Sequence, residues 1–155
     1  MPVSDSEVVL GKYVAALTMT VILLAATLIY PVAMFVWPWH LGALDWGPVA
    51  SGYLGCFLFA TAAVGIGMML SSLTESDVMA FFLTLAALGV LYFIGSVVSV
   101  VPGALGDAIS FVSFQTRYQS FARGLIDSRA VLYFLSVTIL CLLVSFRSLE
   151  SRKWS

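Results

Sequence analysis

The residues that could do chemistry are concentrated in one stretch, 117 to 134, which reads RYQSFARGLIDSRAVLYF. It holds Arg117, Arg123, Arg129 and Asp127 among aromatic side chains and leads directly into an apolar run. Basic and aromatic side chains of this kind anchor a chain at a membrane interface. The same residue types inside the membrane mark functional sites. The stretch is therefore either a tether at a membrane surface or a working part that enters the membrane.

Catalytic chemistry is not indicated elsewhere. His40 stands beside Trp39 in a loop at the end of an apolar run, which suits an interfacial polar residue better than a metal ligand or a catalytic base. Cys56 and Cys141 each lie inside an apolar run, so we expect small buried side chains and neither a disulfide nor a zinc site. The chain has no GxxxxGK[ST] phosphate loop. The sequence therefore predicts no catalytic residue, cofactor or metal, and a protein that is not an enzyme.

The composition predicts an integral membrane protein. Hydrophobic residues make up 61% of the 155 positions and charged residues 10%, and the mean hydropathy is +1.06. A soluble domain carries about 45–50% apolar and about 25% charged residues. The net charge of −1 argues against nucleic acid, which requires clustered basic side chains. We expect the lipid bilayer, and no nucleic acid, as a partner.

Four apolar runs each have the length of a membrane span, at about 14–36, 52–70, 78–101 and 130–149. A helix rises 1.5 Å per residue, so about 20 residues cross about 30 Å of hydrocarbon. Backbone groups in lipid must be hydrogen bonded internally, which makes these runs helices. The fold class is all-α, with four transmembrane helices in a single membrane domain over residues 1–155.

The segment before the last span, about 107–123, is predicted to be an amphipathic helix that lies in the membrane interface or re-enters the membrane. Asp107 could cap its start, and Gly124 suits the left-handed residue that ends a helix. Asp127 or Ser128 would then cap the final span. The residues at helical spacing on its apolar face are Phe111, Phe114, Tyr118, Phe121 and Leu125.

The second span is rich in small residues four positions apart. The pairs are Ser51 with Gly55, Thr61 with Gly65, and Ala63 with Gly67. Such pairs let helix backbones approach closely in lipid. The pattern predicts tight helix packing, either within the bundle or against another subunit.

The distribution of basic residues predicts the orientation. An even number of spans places both termini on one side, together with Lys12, Arg147, Arg152 and Lys153. The opposite side has Arg117, Arg123 and Arg129. The excess favours cytoplasmic termini under the positive-inside rule. We expect a multi-pass protein of the cell (inner) membrane.

Two segments carry a resemblance to a known family. In MPVSDSEVVLGKYVAAL, a Pro-containing turn and acidic residues precede an apolar–Gly–Lys step into a span, at Pro2, Asp5, Glu7, Gly11 and Lys12. In RYQSFARGLIDSRAVLYFLS, the matching positions are Tyr118, Phe121, Gly124, Ile126, Asp127, Tyr133 and Phe134. The turn SSLTES is a third, weaker match. These segments resemble the type-2 ABC-transporter permease family, especially its bacterial gliding-motility-type subunits.

The resemblance implies a membrane-spanning permease subunit of an ATP-driven exporter. Such subunits work in pairs, as homodimers or heterodimers, with separate ABC ATPase subunits that hydrolyse ATP. The amphipathic segment would correspond to the family's external re-entrant helices. Family members typically have six spans, and this chain corresponds to the last four, so we expect a partial permease whose other half lies upstream or on another polypeptide. The alternative is a small four-span scaffold or assembly protein without transport activity.

Overall fold

The computed structural model describes residues 5–36, 45–97 and 103–152, and within these ranges it contains helices and no strand. The helices are α1 (Asp5–Thr27), α2 (Ile29–Val36), α3 (Trp46–Leu73), α4 (Asp77–Val97), α5 (Ala104–Val112), α6 (Phe114–Ala122) and α7 (Ser128–Arg152). The stretches long and apolar enough to cross a membrane are Ser6–Met34, Trp46–Leu73, Asp77–Ser96 and Ser128–Glu150. The predicted all-α membrane fold is confirmed.

The helices differ from the predicted spans mainly at their ends, because a helix continues beyond the apolar run that crosses the hydrocarbon. α3 begins at Trp46, where Asp45 Oδ1 accepts a hydrogen bond of 3.0 Å from the Gly47 N–H. This cap satisfies one of the free N–H groups of the first turn. Residues 98–101 of the third predicted span lie outside the described residues, as does His40.

The first span is interrupted at Leu28, between α1 and α2. Pro31 accounts for the interruption, since a proline ring inside a continuous helix clashes with the carbonyl four residues earlier, here that of Thr27, and proline has no N–H to donate to it. In α2 itself, Pro31 lies in the first turn, where a missing N–H leaves no intrahelical bond unmade. The chain therefore continues as a helix to Val36.

The bundle has two ends. The terminal end holds Asp5, Arg152 and the short connection 74–76. The loop end holds Val36 and Trp46, and the chain between α6 and α7 also lies there. α7 runs parallel to α3: near the terminal end the Ser148 hydroxyl donates a hydrogen bond of 2.8 Å to the Ser72 carbonyl.

α3 is the central helix. It contacts α1, α4, α6 and α7. In its most apolar stretch 39% of residues are buried, against 0% for the first span and 6% for α4. The outer helices therefore present apolar faces to lipid or to another membrane protein. The buried cluster consists of Leu58, Ala62, Ile66, Phe114, Phe121, Ala130, Phe134 and Cys141.

The amphipathic segment forms two helices and not one. Ser113 separates α5 from α6 with an extended backbone, and its hydroxyl oxygen accepts a hydrogen bond from the Thr116 N–H as the N-cap of α6. Asp107 lies inside α5, so it does not cap the start of that helix. The break divides the predicted apolar face: Phe114 and Phe121 are fully buried, whereas Phe111 and Leu125 are 60% and 65% exposed.

Candidate functional site

Helix α6 runs antiparallel to α3 and packs along its loop-end half. Three contacts fix this register: the rings of Phe114 and Phe59 are 5.4 Å apart, Tyr118 Oη lies 3.3 Å from Cys56 Sγ, and the Ser51 hydroxyl donates to the Phe121 carbonyl over 2.7 Å. As the residue numbers rise along α6, the numbers of the α3 residues that they contact fall. α6 therefore starts inside the bundle and leads the chain out toward the loop end.

The start of α6 lies level with the interior of the predicted span of α3. Phe59, its neighbour on α3, is well inside the predicted span 52–70, about 10 Å along the helix from residue 52. The chain reaches this depth through α5, turns at Ser113 and returns through α6. We call residues 104–122 the re-entrant element.

Two glycines make room for the re-entrant element. A Cβ built at Gly55 would lie 2.7 Å from Phe121 Cβ and 2.9 Å from Phe121 Cγ, closer than real side chains approach. On α4, a Cβ at Gly95 would collide with the Ser113 hydroxyl and lie 3.0 Å from Gln115 Oε1. The element is therefore held between α3 and α4 at contact distance.

An aromatic cluster joins the element to α3 and α7. The Phe114 ring is 5.3 Å from Phe134 and 5.9 Å from Tyr133, and the Phe59 ring is 6.4 Å from Phe134. All three pairs are edge-to-face, the arrangement that aromatic quadrupoles favour, and each such pair is worth about 0.5–1.5 kcal/mol beyond its buried area. The Tyr133 hydroxyl also donates to the Val112 carbonyl over 2.7 Å.

Arg117 is the cation of this element. Its guanidinium carbon lies 4.8 Å from the Phe111 ring centre and 5.6 Å from that of Tyr133, which are cation–π distances. Arg117 Nε and Gln115 Oε1 are buried without a hydrogen-bond partner, and no Asp or Glu in the described ranges forms an ion pair with Arg117. Polar groups in this position are costly and are typical of functional sites in membrane proteins.

The chain leaves the element through a turn of special backbone geometry. Gly124 has φ of +85°, as predicted for the residue that ends a helix, and it packs on Pro48 of α3. Asp127 Oδ1 then accepts a hydrogen bond of 2.9 Å from the Arg129 N–H, which confirms Asp127 as the cap of α7. Ile126, between them, is 63% exposed.

The small residues of α3 contact different neighbours. A Cβ at Gly65 would be 3.5 Å from Thr138 and Cys141 of α7, and one at Gly67 would be 3.5 Å from Thr84 of α4. Ala63 lines a cavity. Thr61 is buried, and its carbonyl accepts a hydrogen bond of 3.2 Å from Tyr13 of α1.

The N-terminal motif lies at the opposite end of the bundle. Pro2 is outside the described residues, and Asp5 is the first residue of α1. Glu7, Gly11 and Lys12 are exposed there. The structure therefore places Phe121 of the second motif against Ser51 and Gly55, and leaves the first motif at the terminal end.

Several residues of the site have contacts that the sequence pattern did not indicate. Cys141 is a buried thiol, as expected, but Cys56 is only half-buried and shares a hydrogen bond with Tyr118. Gly95 of α4 contacts Ser113 of the re-entrant element. The sequence signal for the break was Ser113, because serine is a preferred residue for capping the start of a new helix. Nothing in the composition of the third span distinguishes Gly95 from Gly89, which has open space around it.

The site positions a cation and aromatic rings, and it suits binding or conformational coupling. Within the described ranges no group of His, Cys, Asp and Glu side chains could hold a metal ion. The chain matches no protein-family model, no curated protein and no solved structure.

Proposed function

We propose that this chain is a membrane-spanning permease subunit of an ATP-driven exporter of the type-2 ABC class, working with separate ATPase subunits. The observation that carries the proposal is the re-entrant element before the last span. The resemblance implies re-entrant helices at this point of the chain, and α5 and α6 lie there. Two aromatic positions of the second motif build its contacts, since Phe121 packs on Gly55 and Phe134 packs on Phe114.

The re-entrant element is suited to transmit movement between the bundle and the loop end. It touches α3 through Phe121, α4 through Ser113 and α7 through Phe114. A change in the angle between α3 and α4 would move α6, because packed contacts of this kind do not deform continuously. In an exporter, such coupling would let the two membrane halves open or seal a path on the loop-end side.

The exposed apolar faces are consistent with a second permease subunit. None of the most apolar stretch of the first span is buried, and only 6% of that of α4 is. These surfaces can contact lipid or a partner's helices, as homodimer or heterodimer. We place the termini in the cytoplasm and the loop end outside the cell (inner) membrane, in line with the excess of basic residues at the terminal end.

Co-purification tests the proposal. The chain, tagged at its C terminus, is isolated from native membranes in a mild detergent, and the bound proteins are identified by mass spectrometry. The exporter predicts a stoichiometric subunit that contains a GxxxxGK[ST] phosphate loop. Recovery of the folded chain with no such subunit would support the four-span scaffold instead.

A further inference from the structure

A small polar cavity lies at the terminal end of the bundle, between α1, α3 and α7. Its volume is about 160 Å³, and it is partly enclosed. The polar side chains that line it are Lys12 from α1, Ser71 and Ser72 from α3, and Ser145 from α7. We call it the terminal-end cavity. Three helices therefore bring an ammonium group and several hydroxyl groups to the same place.

The hydroxyl groups differ in whether they are already hydrogen bonded. The buried Ser145 hydroxyl donates a hydrogen bond of 2.9 Å to the Cys141 carbonyl of its own helix. The Ser72 hydroxyl likewise donates one of 2.7 Å to the Met69 carbonyl. Ser71 is exposed, and its hydroxyl has no hydrogen-bond partner among the described residues. Ser71 therefore has a donor available for a ligand.

Lys12 gives the terminal-end cavity its charge. No Asp or Glu lines the cavity, and within the described ranges no carboxylate forms an ion pair with Lys12. Glu7 precedes Lys12 on α1, but its position is turned by about 140° around the helix from that of Lys12. An ammonium group offers hydrogen-bond donors and no acceptor. The ligand that suits this cavity is therefore an anion, held by ion pairing and by hydrogen bonds.

The level of the cavity along the bundle identifies the kind of anion. Lys12 precedes the first apolar run, 14–36, and Ser71 and Ser72 follow the second, 52–70. The cavity therefore lies where the hydrocarbon gives way to the headgroup region, which holds the phosphates of the phospholipids. Basic pockets between transmembrane helices bind anionic lipid headgroups. A space of about 160 Å³ accommodates a phosphate group together with a few waters.

We propose that the terminal-end cavity binds the phosphate of an anionic phospholipid, with Lys12 as the ion-pairing group and the Ser71 hydroxyl as a hydrogen-bond donor. The bound headgroup would contact α1, α3 and α7 together and hold them at this end of the bundle. Its acyl chains would follow the exposed apolar surface of the first span. This site is independent of the proposed function, since a four-span scaffold with the same bundle would also bind the lipid there.

Native mass spectrometry of the full chain in a mild detergent tests the site. The chain is titrated with phosphatidylglycerol or with phosphatidylcholine of the same acyl chains, which share the phosphate and differ in the net charge of the headgroup. A single phosphatidylglycerol should bind about tenfold more tightly than phosphatidylcholine, which corresponds to one charge-assisted hydrogen bond. Inorganic phosphate, added as a competitor, should leave the lipid bound. Equal affinity for the two lipids would overturn the proposal, and displacement by inorganic phosphate would overturn the assignment to lipid.

A charge-matched pair of substitutions sharpens the test. Lys12→Gln removes the ammonium group and should weaken phosphatidylglycerol binding about tenfold, whereas Lys12→Arg keeps the charge and should keep most of the affinity. Arg147→Gln removes the same charge near the same end of the bundle. The Arg147 side chain is 88% exposed and lies 4.0 Å from Glu150, so this control should leave the affinity unchanged.

Thermal unfolding in detergent shows which variants are folded. If Lys12→Gln does not fold, Ser71→Ala removes one donor at an exposed position and should weaken phosphatidylglycerol binding about fivefold. A folded Lys12→Gln or Ser71→Ala variant that binds phosphatidylglycerol as tightly as Arg147→Gln would contradict the proposal.

Discussion

The Ser51 hydroxyl donates a 2.7 Å hydrogen bond to the carbonyl oxygen of Phe121, which joins the first turns of α3 to the end of α6. Both residues are buried, and the Phe121 ring lies directly over Gly55, one turn further along α3. The Ser51 hydroxyl and the packing of the Phe121 ring on Gly55 therefore hold the re-entrant element on α3.

Replacing Ser51 with alanine should lower stability by about 1 kcal/mol, because the Phe121 carbonyl loses the hydrogen bond that the Ser51 hydroxyl donates to it. The Gly124 N–H still donates to it over 3.0 Å, so the carbonyl is not left without a partner. Thermal unfolding in detergent measures the effect. Ser136→Ala is the control, since the exposed Ser136 hydroxyl bonds only to Leu132 of its own helix. Equal stability of both variants would show that the bond to Phe121 contributes nothing.

Gly55→Ala should destabilise the protein although alanine is the better helix former. The new Cβ would collide with Phe121, and overpacking of this kind costs about 1–3 kcal/mol, more than the roughly 1 kcal/mol of helix propensity gained. Gly52→Ala has open space around its new methyl group and should keep or raise the melting temperature. A Gly55→Ala variant as stable as Gly52→Ala would mean that Phe121 does not lie over Gly55.

Gly124→Ala should cost about 1–2 kcal/mol, because alanine is strained at a φ of +85°. The new Cβ would also be 3.3 Å from Pro48. Gly124→Asn should cost less, since asparagine tolerates the left-handed conformation. The comparison uses the melting temperatures of the two variants and of Gly89→Ala, whose site is open and has an ordinary helical backbone. A higher melting temperature for Gly124→Ala than for Gly124→Asn would contradict the turn geometry.

Two serines at opposite ends of the bundle test the orientation. Ser76 lies in the connection at the terminal end and Ser128 begins α7 at the loop end, and both are exposed. In a background with Cys56 and Cys141 replaced by serine and alanine, Ser128→Cys should react with an impermeant thiol reagent on intact cells. Ser76→Cys should react only after permeabilisation. The reverse pattern would place the termini outside.

The sequence predicted the elements whose cause is local. Apolar length defined the four spans, and Gly124 and Asp127 were assigned as the end of one helix and the cap of the next because turn chemistry depends on adjacent residues. The break at Ser113 was missed, because periodicity alone continued one helix through it. Periodicity also cannot show which residues lie opposite each other on different helices.

The contacts of the site join residues on different helices, which periodicity does not predict. Arg117 stood out in the sequence, but its place between Phe111 and Tyr133 depends on the angle between α5, α6 and α7. The small residues of α3 predicted close packing, and Gly65 and Gly67 lie against α7 and α4. Ala63 has the same spacing but lines a separate cavity, between α1 and α4, because small residues also occur where space is left open.

The most direct test of the proposed function is ATP hydrolysis by the complex purified through this chain. We predict ATP hydrolysis that co-elutes with the chain in a mild detergent and that is abolished when the phosphate-loop lysine of the co-purifying subunit is replaced by alanine. Activity no higher than in a mock purification from cells lacking the chain would contradict the exporter.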